Sequence, residues 1–284
     1  MAFLLDGIVF GLQLSLVAVG LTLIYGLGGV LNLAHGQLAV VAAMVGAVLL
    51  AAELPMVVAV AGALAAGGAL AWLLDATLLR PVYRLAGERR VLLSLLVTLG
   101  VAFLLDGILI TTQPFTALTV PVAGPAIDVV GVSMRRGSLI ASGVAVVALV
   151  GLIVFLRWTR FGRAVRSMVQ DEEGAALCGV DLSRTRTVVF VLSGLLAGLF
   201  ALTQGLISSV GATDGLDITI LALIVTVVGG LGRVSGAVVA GLLLGIVHAL
   251  ASFYIGAFVT IVILLVVAML TIVVRPAGIL GKVS

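Results

Sequence analysis

Leu4-Leu-Asp-Gly-Ile-Val-Phe-Gly-Leu-Gln-Leu-Ser-Leu-Val-Ala-Val-Gly-Leu-Thr-Leu-Ile-Tyr25 carries a single charge, Asp6. Wound as a helix at 1.5 Å per residue, it is about 33 Å long, the thickness of a bilayer's hydrocarbon core. The rest of the chain repeats the theme. Further apolar runs fall at about 37–53, 56–79, 91–112, 138–156, 188–207, 218–232, 236–252 and 254–274, nine in all. The 284 residues are 63% hydrophobic and 10% charged. Soluble domains carry about 25% charged residues, so no water-soluble fold could hide this much apolar surface. In hydrocarbon every backbone polar group must be bonded internally, which leaves helices or a closed barrel. Barrel strands alternate apolar and polar residues, and these runs do not. The expectation is an all-α polytopic membrane protein, a single domain over 1–284, with about eight or nine transmembrane helices. The seventh and eighth runs are short and glycine-broken, and either fits a re-entrant segment as well as a span.

The net charge of +3 and pI near 9.6 suggest a nucleic-acid binder only at first sight. The basic residues sit in short connections between apolar runs, where they set membrane orientation. Arg80, Arg84, Arg89 and Arg90 fall in one connection, Arg157, Arg160, Arg163, Arg166, Arg184 and Arg186 in another, and Arg275 and Lys282 in the tail. The connection 113–137 holds only Arg135 and Arg136. This bias places the N-terminus outside and the C-terminus in the cytoplasm, and nine crossings fit that parity. Asp6 stands where a cleavable leader would carry basic residues, so none is expected. Cys178, alone, cannot form an intrachain disulfide.

Interest falls on the interruptions. The first is Tyr25-Gly-Leu-Gly-Gly-Val-Leu-Asn-Leu-Ala-His-Gly-Gln37, with Gly28, Gly29, Asn32, His35 and Gln37 as candidate residues of a path or gate. Polar groups are costly in lipid unless they pair or line a cavity. A broken helix aims free N–H groups at an anion or free C=O groups at an ammonium, and an amino acid zwitterion needs both. A plain cytoplasmic turn capped by Asn32 fits the same residues. The second, Gly229-Gly-Leu-Gly-Arg-Val-Ser-Gly236, looks like a phosphate loop but lacks the Gly-Lys-Ser/Thr ending and the αβ context. Gly229, Gly230, Gly232, Arg233 and Gly236 therefore read as a helix break and packing surface, continued by Gly241 and Gly245. The third, 157–187, is a cytoplasmic segment. Ala175–Cys178 allow a short helix ended by Gly179 in left-handed geometry, and Asp181 or Ser183 can cap the helix that follows.

Asp6, Asp75 and Asp106 lie near predicted helix ends and are expected at the interface, which leaves no midplane acid to couple an ion gradient. His35 and His248 are far apart in sequence. No nucleophile with a base, metal cluster or nucleotide motif is present, so an enzyme is not expected. Phe3-Leu-Leu-Asp-Gly-Ile8 recurs as Phe103-Leu-Leu-Asp-Gly-Ile108, and Gly28-Gly29…Gly36 echoes Gly229-Gly230…Gly236. Such echoes arise from internal repeats or from chance in low-complexity apolar sequence.

Taken together, Gly20-Leu-Thr-Leu-Ile-Tyr-Gly26, Leu31-Asn-Leu-Ala-His-Gly36, Gly162-Arg-Ala-Val-Arg166, Gly179-Val-Asp181, Gly229–Gly236 and Arg275-Pro-Ala-Gly-Ile-Leu-Gly281 resemble the membrane permeases of branched-chain amino acid ABC importers, the hydrophobic amino acid uptake family. Leu33 stands where the family usually has an aromatic. The resemblance spans nearly the whole chain. It implies an ABC importer permease fold in the plasma (inner) membrane, with no cofactor in this chain. ATP and Mg would be bound by two partner ATP-binding subunits. A second permease, as a heterodimer or homodimer, and an extracellular solute-binding protein would complete the importer. Glu173-Gly-Ala-Ala-Leu-Cys-Gly179 is similar to the coupling helix pattern Glu-Ala-Ala-x-x-x-Gly, with Gly174 in the second place, which would loosen the helix start. Arg163, Arg166, Asp171, Glu172, Glu173, Gly174, Ala175 and Gly179 are the residues expected to meet the ATPase. Urea or short amides are alternative cargo within the family. A stand-alone secondary transporter and a membrane scaffold are readings from other classes.

Overall fold

The computed structural model describes residues 2–122, 124–129, 132–275, 278 and 279. Lys282 and most of the Arg275–Gly281 motif lie outside the described residues. Each of the nine apolar runs becomes a helix: α1 (Ala2–Gly28), α2 (His35–Ala51), α3 (Met56–Leu74), α5 (Gly87–Thr112), α6 (Arg136–Trp158), α9 (Leu182–Gly205), α10 (Gly215–Gly229), α11 (Val234–Tyr254) and α12 (Ala257–Val274). Between them lie the short α4 (Arg80–Val82), α7 (Arg160–Gln170) and α8 (Glu172–Leu177). Six helices are long and apolar enough to cross a membrane, while α2, α10 and α12 count as shorter apolar helices. The eighth run is a full-length helix of 21 residues, whereas the seventh, α10, has 15. Apolarity on all sides marks helices that face either lipid or one another. The bundle sorts them: 89% of the apolar window of α1 is buried, against 22% of that of α6, so α1 is the central post.

Small residues bring the backbones around α1 together, as expected where no hydrophobic effect drives helix association. Its most extensive partner is α11. A Cβ on Gly7 would stand 2.9 Å from Ile246 Cα, and one on Gly11 would stand 2.8 Å from Leu242 Cα. On the opposite face of the stripe, Gly241 and Gly245 abut Ser15 and Gly11. Side-chain hydrogen bonds add interhelical ties: Thr203 Oγ1 donates to Gln13 Oε1 at 2.6 Å, and Thr22 Oγ1 to Thr226 Oγ1 at 3.2 Å. Nothing in the pattern of apolar runs announces those pairs.

The connection between α5 and α6 folds on itself. β2 (Ile127–Val129) pairs antiparallel with β3 (Val132–Met134). β1 (Ala117–Leu118) pairs antiparallel with β4 (Val210–Gly211), with Leu118 opposite Val210. Strands of two or three residues are too short to show alternation in sequence.

Asp75, at the end of α3 as expected, is enclosed by protein: it is 1% exposed, at the start of a π-helical stretch, Asp75–Leu79. The wider turn packs it into the protein, where Tyr83 Oη donates to Asp75 Oδ1 at 2.9 Å and Thr187 Oγ1 to Oδ2 at 2.5 Å. Of the Phe3–Ile8 echo, one copy opens α1 and the other lies in the last third of α5. The glycine echo has more substance: both copies end a helix with a left-handed glycine, Gly29 at φ 56 and Gly230 at φ 97.

Gly11→Val is expected to destabilise the protein by about 1–3 kcal/mol through overpacking against α11. Gly143→Val, on α6 where a Cβ meets nothing within 4 Å, should leave stability near wild type. Thermal unfolding in detergent measures both.

Candidate functional site

The first break is enclosed by protein rather than exposed as a surface turn. α1 stops at Gly28, and a six-residue passage, Gly29–Ala34, runs back into the bundle before α2 begins at His35. His35 is fully buried beside Ser193, the middle of the 24-residue α9. Its Nε2 lies 3.0 Å from Val17 O, and its Nδ1 lies 3.3 Å from Ser193 Oγ. A carbonyl only accepts, so the Val17 contact places the proton on Nε2, and Nδ1 then accepts from the serine. Gly20 is glycine because a Cβ there would stand 2.9 Å from the imidazole.

Non-helical backbone at this depth needs partners from side chains. α5 supplies them. Leu31 N donates to Ser94 Oγ at 3.2 Å, Leu33 N to Thr98 Oγ1 at 3.0 Å, and Thr98 Oγ1 donates to Leu31 O at 3.3 Å. Asn32 folds its own carbonyl oxygen onto Ala34 N at 3.0 Å. At the first turn of α2, Gly36 N donates to Thr219 Oγ1 of α10 at 2.8 Å, and Gln37 Nε2 donates to Asp106 Oδ1 of α5 at 2.5 Å. Ser94, Thr98, Ala102 and Asp106 recur every four residues and form one face of α5, which zips along the break. Asn32 Nδ2 and Gln37 Oε1 are buried with no partner. Asp106, expected at the interface, is thus drawn into the site. Only its pairing with a residue 69 positions away reveals this.

The third break is better ordered than its sequence suggests. Thr159 caps α7 by accepting from Gly162 N at 3.0 Å, and Asp171 caps α8 by accepting from Glu173 N at 3.0 Å. Gly179 has φ 85, and its N–H bonds Ala176 O at 3.0 Å, the helix end expected from its sequence. Asp181, not Ser183, caps α9 through Arg184 N at 2.9 Å. Gly174 has a local reason: a Cβ there would stand 2.5 Å from Asp171 Oδ2. Leu177 is 90% exposed, and Asp171, Glu173 and Gly179 are exposed, whereas Ala175 is buried. Arg163 is exposed, and Arg166 is tied back to Leu156 O.

Glu172 does not share that outward face. Its carboxylate holds Arg90 Nη1 at 3.0 Å and also Arg186 Nη2. Burial opposes its ionisation, but hydrogen bonds and charge from the two guanidiniums outweigh that and hold its carboxyl below the ordinary range. Arg90 is the hub. The same Nη1 reaches Gly28 O at 3.2 Å, Nε reaches Leu85 O at 2.7 Å and Nη2 reaches Tyr83 O at 3.0 Å. Arg186 stacks over the Tyr83 ring, 4.4 Å from its centroid. Burial first, then the charge and hydrogen bond of Asp75, raises the Tyr83 phenol, which stays a donor. One network therefore runs from α8 to the last carbonyl of α1.

The second break is a packing element. A Cβ on Gly26 would stand 2.8 Å from Gly232 Cα, Gly229 and Gly236 touch through their backbones, and Ile279 N donates to Val228 O at 2.9 Å. Gly230 and Gly232 both hold positive φ. Arg233 precedes α11, with its N–H on Gly230 O at 3.1 Å. His248 stacks on Phe10 with centroids 4.0 Å apart. No group of three metal-ligating side chains occurs among the described residues. A cavity of about 760 Å³ between α1, α6 and α7, lined by Thr22, Arg157 and Arg166, does not reach Asn32–Gln37. The break itself is closed in this conformation.

The comparisons agree with this architecture. Residues 3–274 match the family model described as branched-chain amino acid transport system / permease component. The high-affinity branched-chain amino acid transport system permease protein LivH of Escherichia coli (strain K12) is 28% identical over 98% of this chain and 94% of its own length. BraD of Pseudomonas aeruginosa, named as a permease of the same kind, is 28% identical over 98% and 95%. The probable LivH of Methanocaldococcus jannaschii is 29% identical over 98% and 92%. Among solved structures, PsaBC from Streptococcus pneumoniae in complex with Fab superposes with TM-score 0.56 at 13% identity, covering 98% of this chain and 93% of that one, a likeness of fold. A match over all nine apolar helices places this multi-pass chain in the branched-chain amino acid transport system permease family.

Proposed function

We propose that this chain is one permease subunit of an ATP-driven importer that carries branched-chain amino acids across the inner membrane. The observation that carries this reading is the near full-length likeness to permeases named for that cargo. A second permease, two ATP-binding subunits that hold ATP and Mg, and an extracellular solute-binding protein complete the assembly. The chain itself is not an enzyme. Its N-terminus faces outward and its C-terminus faces the cytoplasm, which puts α7 and α8 on the ATPase side.

The coupling surface is the exposed edge of α8, with Asp171, Glu173, Leu177 and Gly179, flanked by Arg163 on α7. Single exposed ion pairs contribute about 0–1 kcal/mol, so the fit of the short helix matters more than any one charge. Glu172 acts on the inner side of that helix. When the ATP-binding subunits close and push α8, Glu172 draws Arg90 with it, and Arg90 holds the carbonyl that ends α1. The six-residue break beyond that carbonyl is the gate, and Asn32, His35 and Gln37 line it. Rocking of one permease against the other then opens it to alternate sides.

Vesicles holding the complete importer should take up leucine only with ATP inside and the binding protein outside. Uptake by the chain alone would favour a secondary transporter, and preference for urea would reassign the cargo. Gly179→Val should uncouple the importer. A Cβ there meets nothing within 4 Å, so the cost is the positive φ alone, which a β-branched residue disfavours and which would re-aim α8. Uptake is expected to fall about tenfold, for roughly 1.4 kcal/mol of lost coupling. Unchanged transport would remove α8 from the mechanism. Because Glu172 titrates below the ordinary carboxylate range, its ion pairs persist at neutral pH and are lost only as pH falls through that lowered value. Glu172→Gln should lower uptake at neutral pH, where the wild-type carboxylate is charged.

A further inference from the structure

Asp106 is the feature that neither the family nor the packing accounts for. It lies six residues before Thr112, the end of α5, so it is about 9 Å inside the helix. A carboxylate held in a membrane helix is costly unless it pairs with a cation or lines a water-filled path. Among the described residues no cation approaches it. Its contact is the neutral amide of Gln37, through Oδ1. The other half of that amide, Oε1, is fully buried and has no partner. Nor is the amide free to drift: the backbone of Gly215 lies so close that a Cβ there would overlap the Gln37 side chain.

At this pair the buried atom without a partner is an acceptor, Gln37 Oε1. Asp106 offers two oxygens and a negative charge, and Gln37 offers one oxygen beside them. A primary ammonium has three N–H donors and the complementary charge. The pair also sits where α2 begins inside the bundle, on the face of α5 that seals the break. From this we propose that Asp106 and Gln37 form an amine-selecting station of the transport path, binding the α-ammonium of an amino acid as it passes. This rests on the permease reading above and adds to it which residues read the cargo. In the closed conformation the Gln37 amide N–H occupies the carboxylate. When α5 parts from the break, the ammonium takes the place of that N–H and meets the Asp106 carboxylate and the Gln37 oxygen beside it. A neutral amide such as urea supplies N–H donors but no charge, so the station favours amino acids over such cargo.

The test uses the complete importer in vesicles, with leucine import and ATP hydrolysis measured in the same sample and thermal unfolding measured alongside. Asp106→Asn keeps size and a hydrogen bond to Gln37 but removes the charge. Its leucine imported per ATP should fall at least tenfold with the unfolding temperature retained, and Asp106→Glu should recover part of the loss. A wild-type ratio in Asp106→Asn overturns the station. So does a joint fall of import, hydrolysis and unfolding temperature that Asp106→Glu does not relieve, which would make the pair a structural pin between α2 and α5. Failure of the broader reading looks different: wild-type vesicles would then show no ATP-dependent leucine import at all.

Discussion

The structure depends on how six residues of non-helical backbone, Gly29–Ala34, are accommodated inside an apolar bundle. With no water to satisfy them, each unpaired N–H or C=O would cost several kcal/mol. The side chains that relieve this are polar residues on otherwise apolar helices: Ser94 and Thr98 on α5, Thr219 on α10, and Asn32 within the passage itself. Their positions fix which helices must surround the break. α5 has to present its Ser94–Asp106 face, and α10 has to start beside Gly36, where Gly215 O leaves no room for a Cβ. His35 completes the enclosure by tying the start of α2 to Val17 of the central helix and Ser193 of α9.

A break satisfied in this way is held by bonds of two different kinds. The hydroxyl bonds from α5 are interhelical and individually modest, on the order of 0.6 kcal/mol in membrane interiors. Such bonds can exchange for bonds to water at little net cost. The glycine contacts between α1 and α11 are of another kind, since backbone against backbone leaves no alternative packing. The bundle therefore divides into a rigid post, α1 with α11, and a face, α5, joined to it by replaceable hydrogen bonds. α5 is also one of the less buried helices, with 28% of its window covered.

Much of this was legible in sequence where the signal is local. Helix count follows from run length, because a bilayer imposes about 20 residues on each crossing. Gly179 and Asp181 were readable as a helix end and a cap, because those motifs need only neighbouring residues. What escaped was set by distance. The pairing of Asp75 has no local sign, because nothing nearby hints at a π-helical turn or at Thr187, 112 residues on. The pairing of Asp106 has none because its partner is 69 residues away. Glu172 stood in a row with Asp171 and Glu173, and one-dimensional spacing could not separate the carboxylate that faces Arg90 and Arg186 from those that face outward. The strand pair β1–β4 joins segments some ninety positions apart and has no periodicity to read.

Glu172 and Asp106 are both acids on the path of one mechanical argument, and the difference between them is instructive. Glu172 is fully matched: two guanidiniums face one carboxylate, and a guanidinium that also holds Gly28 O and Tyr83 O is fixed in place. Such a joint transmits displacement because pulling any member strains several charge-assisted bonds at once. Asp106 is under-matched: one neutral amide faces it, and the oxygen of that amide, Gln37 Oε1, is buried with no partner. Such a pair is suited to exchange partners rather than to transmit force. The break at Gly29–Ala34 lies between the two, with Arg90 at its lower end and Gln37 at its upper end. From the Gly28 carbonyl that Arg90 holds, the chain leads through Gly29–Ala34 directly to the residue whose amide occupies Asp106. The matched joint and the under-matched pair are thus linked by one short stretch of non-helical chain, whose backbone is held by side-chain bonds from α5.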